Sequence, residues 1–376
     1  MRSPTFSVIL PTKNRPELLS YVIDSILMQD FPDFELIISD NSDDDQSFEL
    51  LKQYQDSRIK YFKTGSLSMV ENWNYGYSQA IGKYFLLIID KYLMKAHVLS
   101  ILSAYLNIHP TNLVSWDIDI EPRHSININY YQGTQEVRCY TTTNLLQKVI
   151  NQDNEQDSKT DRVLPKGRNC CIPSPLYQNI LKHNGPLAIG YAPDYTIAFK
   201  ILFETLEVFH FECSFYSLFG NETKYSLGRL FDAGQHQEAE HYINASDNIY
   251  QRIKDTSPIP IYTSFTVILS ELVSVAQLYN YSCEFNIPNC YIQSYRYISE
   301  DIRLFQSNWR YRHHQLHDIR HLIKQAELDK PIKSYILIQC DTIDYRFPKL
   351  LCKKILCLIS KKLLNILHEY TYIYYA

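Results

Sequence analysis

A chain of 376 residues with 45% hydrophobic positions holds enough apolar surface for a sizeable core and about two domains, which excludes extended disorder. Its net charge of -4 provides no basic field, so nucleic acid is set aside as a partner. Nine scattered cysteines, Cys170 and Cys171 adjacent and no CxxC pair among them, argue against a zinc or disulfide framework and for reduced cytoplasmic thiols.

The first twelve residues lack signal-peptide architecture, and no apolar run reaches the ~18 residues of a spanning helix. Phe6 to Leu10 reads as a short apolar strand. Pro16 opens a helix through Gln29, with proline in the first turn and Leu18, Leu19, Val22, Ile23, Ile26 and Leu27 as its apolar positions. A second strand runs from Phe34 to Ile38 and ends in the polar run Ser39 to Asp43. A helix around Phe48 to Tyr54, a strand at Arg58 to Phe62 and a helix from Met69 to Ala80 follow, the last closed by Gly82. The aromatic and β-branched stretch Tyr84 to Ile89 is a buried strand that delivers Asp90 to the sheet's carboxyl edge. Strands alternating with helices over short connections predict an α/β fold with a doubly wound, mostly parallel sheet. Such sheets bind ligands beyond the carboxyl ends of their strands.

Asn151 to Asp161 is polar and acidic and reads as a mobile loop; Asn184 to Pro186 reads as a turn, and Pro193-Asp194 as the start of a helix to Phe203. Beyond Asp232 long helical segments replace the alternation, Ser299 to Glu327 being the longest. This divides the chain into residues 1–232 and a helical region, 233–376; Ala233 to Ala245 reads as a helix in it rather than as a repeat unit. His313, His317 and His321 recur every four residues but lack an acidic or cysteine partner, so an exposed face opposite Trp309, Leu316 and Ile323 is the better reading. Lysines 349, 353, 354, 361 and 362 lie opposite a stripe that includes Ile355, Leu356 and Ile359. That basic amphipathic helix suits either an anionic membrane surface or docking with its lysines solvated.

Ordered motifs carry a resemblance. Ser7 to Arg15 (SVILPTKNR) resembles the opening strand and donor loop of the family 2 glycosyltransferases, which have the GT-A fold. Ile37 to Ser42 (IISDNS) is similar to that family's second strand, Glu71 to Gly76 with Ala80 to Tyr84 to the helix and turn before its acidic DXD motif, and Pro193-Asp194-Tyr195 to its later acidic motif. The resemblance covers about residues 5 to 230. It implies inverting transfer of a sugar from a nucleotide-sugar donor to a glycan or lipid-linked acceptor, in polysaccharide biosynthesis on the cytoplasmic side. Thr12, Asn14, Arg15, Asp40, Asn72 and Asp90 are then donor-binding, Asp194 the general base and Asp90 the metal ligand. Asn14 and Arg15 could alternatively cap the helix at Pro16, and Asp194 could be the N-cap of its own helix.

Inverting transfer requires a base for the acceptor hydroxyl and positive charge for the departing diphosphate, which in this family is normally a divalent metal, Mg2+ or Mn2+. Here the chain departs from the pattern. Position 92, where the family places the metal-ligating aspartate, is Tyr92, a neutral phenol and a poor ligand for a hard cation. Asp90 would have to hold the metal with the diphosphate and water, or Lys91 and Lys95 would take over part of its charge. A catalytically silent relative that binds nucleotide-sugar or glycan is the alternative that Tyr92 favours.

Overall fold

The computed structural model describes residues 3–120, 136–152, 157–218, 249–300 and 302–344. Nine strands form one mixed sheet: β1 (Phe6–Thr12), β2 (Phe34–Asp40), β3 (Ile59–Lys63), β4 (Tyr84–Leu87), β5 (Tyr92–Met94), β6 (Val114–Ile120), β7 (Val137–Thr141), β8 (Cys170–Pro173) and β9 (Glu207–Leu218). Their order is β3-β2-β1-β4-β8-β6-β9-β5, with β7 also on β9. The pairings β1–β2, β2–β3, β1–β4 and β6–β9 are parallel, whereas β4–β8, β6–β8, β5–β9 and β7–β9 are antiparallel. Most of the paired residues lie in parallel ladders, so the α/β, mostly parallel expectation holds.

Helices cover both faces, as the near-continuous apolar strands require. α1 (Pro16–Leu27) starts with Pro16 in its first turn and buries Leu19, Val22, Ile23 and Ile26 at helical spacing. α2 (Gln46–Leu51) follows. α3 (Met69–Ser78) opens with a capping box in which Ser68 and Glu71 satisfy each other's backbone N–H groups. α4 (Val98–Ile108), α5 (Thr142–Asn151), α6 (Asp157–Val163), α7 (Ser174–Asn184) and α8 (Pro193–Glu204) complete the layers. Alternation along the strands divides two cores. Val8, Leu10, Leu36, Ile38, Leu86 and Ile88 pack with α1 and α4 on one face, while Ile9, Ile37, Phe85 and Leu87 pack with α3, α7 and α8 on the other.

Beyond the sheet come α9 (Ile249–Thr256), α10 (Ser264–Leu278), α11 (Ile287–Glu300), α12 (Ile302–Gln325) and a further helix at residues 330–344, α13. They enclose a third core around Leu269, Cys290, Tyr295, Ile319, Ile323, Ile336 and Cys340. His313, His317 and His321 are exposed, and Leu316 and Ile323 are buried, as their spacing predicts.

Two expectations need correction. The 151–161 stretch is not one loop, because α5 reaches Asn151 and α6 begins at Asp157. The strand expected to end at Ile89 ends at Leu87, because the chain turns there, Lys91 and Tyr92 both donating to the Ile89 carbonyl. Tyr92 then starts β5, a strand that the apolar pattern did not separate. The expected boundary at 232 and the basic helix from 345 onward lie outside the described residues.

Candidate active site

Sheet register places the first site residues. In the β1–β4 ladder Ile9 lies opposite Leu87, so Thr12 and Asp90, each three residues further on, reach the same level. The Thr12 hydroxyl donates to Asp90 Oδ2 at 3.0 Å. Just past β1, Arg15 turns back and its Nη1 donates to Asp90 Oδ1 at 2.8 Å. Asp90 is only 2% exposed, so a charge with almost no water is balanced by one guanidinium and one hydroxyl. The guanidinium does not cap α1: Arg15 occupies the N-cap position without a side-chain cap bond.

Asp40 ends β2 beside Thr12 and is fully buried. Its Oδ1 accepts from the Ser42 backbone N–H at 2.8 Å, the turn chemistry of an Asx motif. Its Oδ2 accepts from the Tyr61 hydroxyl at 2.8 Å. Asn14, exposed and at φ +54°, exchanges side-chain bonds with Asp43 (Nδ2 to Oδ2 2.7 Å, Asp43 N–H to Oδ1 2.9 Å) and so ties the loop after β1 to the loop after β2. Asn72 is spent on the scaffold. Its amide donates to the Ser39 carbonyl and to Asn41 Oδ1, and its oxygen accepts from the Thr64 hydroxyl at 2.6 Å. At 1% exposure it clamps the ends of β2 and β3 together and reaches a ligand only through them.

The second half of the site comes from β8 and α8. Because β8 runs antiparallel to β4, with Leu86 opposite Cys171, its N-terminal end points to the same edge as Asp90. Continuing that register brings Arg168 level with Ile89. The turn that leads in, Lys166-Gly167-Arg168, is shaped by Gly167 at φ +68° and by the buried Asn169, which binds the Trp116, Arg162 and Leu164 carbonyls. A Cβ on Gly167 would sit 3.1 Å from Ile197 Cδ1.

Asp194 lies in the first turn of α8, and Arg168 Nη2 pairs with its Oδ2 at 3.4 Å. It is not the N-cap; Ala192 holds that position and makes no side-chain cap bond. Burial disfavours the Arg168 charge, but Tyr92, Asp194, Tyr195 and Asp161 outweigh it and hold the guanidinium above its ordinary range. Lys166 pairs with Asp161 at 2.8 Å and lies over the Tyr195 ring, whose hydroxyl also donates to Asp161. Burial, together with the repulsion of Arg168 and Arg15, holds the Lys91 ammonium below the usual lysine range, with Asp90 and Asp194 pulling the other way. These electrostatic couplings join the two halves of the site: Lys91 feels both carboxylates and both guanidinium groups. Lys95 is directed elsewhere, to Asp119.

The expected residues therefore gather at one edge, except that Asn72 is braced behind it and Lys95 faces away. Arg168 and Lys166 were missed by sequence reasoning. A Lys-Gly-Arg-Asn run ahead of an apolar strand was visible, but only the antiparallel direction of β8 brings the start of that strand to the ligand edge. No group of three or more metal-ligating side chains occurs among the described residues.

Residues 7–156 match the family model described as "Glycosyl transferase family 2". Over 91 residues the chain is 43% identical to a GalNAc(5)-diNAcBac-PP-undecaprenol beta-1,3-glucosyltransferase of Campylobacter jejuni, a match covering 23% of this chain and 29% of that protein. It is 28% identical over 123 residues to a PGL/p-HBAD biosynthesis glycosyltransferase of Mycobacterium bovis, covering 31% and 48% respectively. Each match thus spans less than half of the curated relative. Among solved structures, S. aureus TarS 1-349 in complex with UDP-GlcNAc aligns with a TM-score of 0.47 and 13% identity over 92% of each chain. The first strand, the Asp40 loop and the Asp90 turn all lie inside the stretch, residues 7–156, that is similar to glycosyl transferase family 2.

Proposed function

We propose that this protein transfers a sugar from a nucleotide-activated donor to a lipid-linked or polysaccharide acceptor, with inversion at the anomeric carbon. The observation that carries the reading is the meeting of Asp40, Asp90 and Asp194 at one sheet edge, drawn from three separate segments of the chain. That edge is where an open α/β sheet receives its ligand. In this reading Asp40 and the Asn14 loop border the nucleoside, and Asn72 fixes the strand ends behind them. Asp194, whose Oδ2 pairs with Arg168 and whose Oδ1 accepts from the Tyr195 backbone N–H at 3.1 Å, takes the acceptor hydroxyl's proton as general base on a remaining lone pair. The acceptor class follows a relative: the Campylobacter protein's name specifies an undecaprenol-diphosphate acceptor.

No helix among the described residues is long and apolar enough to cross a membrane. A lipid-linked acceptor would be met from the cytoplasmic face, with the basic segment after residue 344 as a peripheral contact. Salt-insensitive flotation of the full chain with anionic liposomes removes that last element, since such contacts weaken as salt rises.

The family's divalent metal is a poorer fit to these residues. Magnesium and manganese require several well-placed oxygens, usually from carboxylates and phosphates. Asp90 is the one carboxylate at the motif, and both of its oxygens are already engaged, one of them by a guanidinium that cancels its charge. Position 92 supplies a buried phenol.

Asp194→Asn tests the transfer reading. It retains shape and removes basicity, so turnover should fall by roughly 10²- to 10⁴-fold while donor affinity barely changes. The measurement is release of nucleoside diphosphate from a panel of nucleotide-sugars, with polyprenyl-diphosphate oligosaccharides as acceptors. Full turnover in the variant would remove Asp194 from the chemistry.

A further inference from the structure

We propose that Lys91 and Arg168, with Arg15 braced against Asp90, form a cationic cradle for the donor diphosphate and replace the divalent ion in stabilising the leaving group. The inference rests on the transferase reading above and specifies how that site handles charge. Three cations face two carboxylates there. Arg15 is matched by Asp90 at 2.8 Å, and Arg168 by Asp194 at 3.4 Å. Lys91 is the surplus. Half-buried at the turn after β4, its ammonium has the face of the Tyr92 ring at 5.9 Å and no hydrogen-bonded counter-ion among the described residues. A partly desolvated ammonium without a partner is costly and is relieved by an anion with several oxygens.

Tyr92 belongs to the same design. An aspartate there would pair with Lys91 and cancel the surplus. A phenol packs under the ammonium and leaves its charge available.

The step balances without a metal. The acceptor oxygen forms its bond to the anomeric carbon as its proton passes to Asp194. The bond from that carbon to the β-phosphate oxygen breaks, and the electron pair stays on the diphosphate. The added negative charge falls on oxygens held by Lys91 and Arg168, the arrangement of fixed charges that serves a transition state best. Arg168 then contacts both the base and the leaving group, linking the two ends of the reaction.

Calorimetry of the full chain with UDP, GDP and TDP, each in EDTA and then in manganese, tests the cradle. The diphosphate that binds should do so with affinities within about 2-fold in the two conditions, since the charge it needs is built into the protein. Lys91→Met should weaken that diphosphate roughly 10- to 100-fold, the scale of a charge-assisted hydrogen bond, and leave the corresponding nucleoside unaffected. Binding that requires manganese, or a diphosphate affinity untouched by Lys91→Met, overturns the cradle and leaves the transferase reading standing. Failure of all three diphosphates to bind in either condition removes both. The chelator comparison uses the native chain, so the inference stays falsifiable even where Lys91→Met does not fold.

Discussion

Asp40 and Lys200 show how far one residue's role depends on partners distant in sequence. Asp40, donor-binding by the resemblance, is also a turn residue in the structure: one oxygen is taken by Ser42 N–H and the other by the Tyr61 hydroxyl. Lys200 offers no such clue. It lies in an apolar stretch of α8, is fully buried, and donates to the carbonyls of Asn184 (2.9 Å) and Pro186 (2.5 Å). It thereby closes the predicted turn, in which Gly185 sits at φ +72°. Burial pushes its pKa down to about 8. The unfolded chain holds that proton up to a pKa of about 10.4, so between those values it binds more protons than the folded one. Stability must then rise with pH through that window, by up to about 3 kcal/mol from this group alone. Ionising tyrosines oppose the trend at the alkaline end, so the test compares melting of the wild type and Lys200→Met from pH 7 to 10. The wild type should gain on the variant as pH rises; parallel curves would show that Lys200 keeps an ordinary proton affinity.

At the scale of elements, the segment to follow is the loop that leads into α8, because the first turn of α8 carries Asp194. The sequence reading located that helix start correctly, and the alternative it left open, Asp194 as the N-cap, is not what holds the segment. The loop is instead held from outside by two side chains. Asn74 of α3 makes a two-way amide clasp with Ala188 (2.8 and 3.0 Å), and Glu271 of α10 accepts from the Tyr191 backbone N–H at 2.6 Å. Arg252 balances Glu271 at 2.7 Å, and a Cβ on Gly190 would clash with the Glu271 carboxylate. Neither holder is adjacent in sequence, and both sit in ordinary helical patterns, so no local signal pairs them with the loop. Gly190, at φ +68°, was the one readable hint of a close approach. Glu271→Ala should cost about 3–5 kcal/mol, because it leaves Arg252 and the Tyr191 N–H without their partner. Glu271→Gln retains an acceptor and should preserve most of the fold. If the loop positions the base, the Gln variant loses kcat with an unchanged donor KM. Equal loss in both parameters would make Glu271 a packing residue only.

For the whole molecule, the question is whether the helical region stands apart from the sheet, as the change of pattern near Asp232 suggests. The sequence separates the two because periodicity shifts from alternating strands to long amphipathic helices, a shift that says nothing about which apolar faces meet. The described residues argue for one shared interior. α10 is apolar on two sides: Leu269 joins the core of α11 to α13, while Leu272 and Val275, both fully buried, join Ile197, Ile201 and Leu202 of α8 beneath the sheet. Through α10, the helix that bears Asp194 rests on the C-terminal half. We therefore expect residues 1–232 to be incomplete alone. A fragment of residues 1–232 would expose the α8 face that Leu272 and Val275 cover, losing about 1.5–3 kcal/mol for each side chain of that size. The sum is a large share of the 5–15 kcal/mol of a typical domain, and loss of the Glu271 clasp adds to it. The fragment should bind a hydrophobic dye and melt broadly, and Leu272→Ala in the full chain should cost about 2–5 kcal/mol through the cavity it leaves. A 1–232 fragment that melts as sharply as the full chain and within a few degrees of it would show that the sheet needs no partner, and that α10 only leans on a finished core.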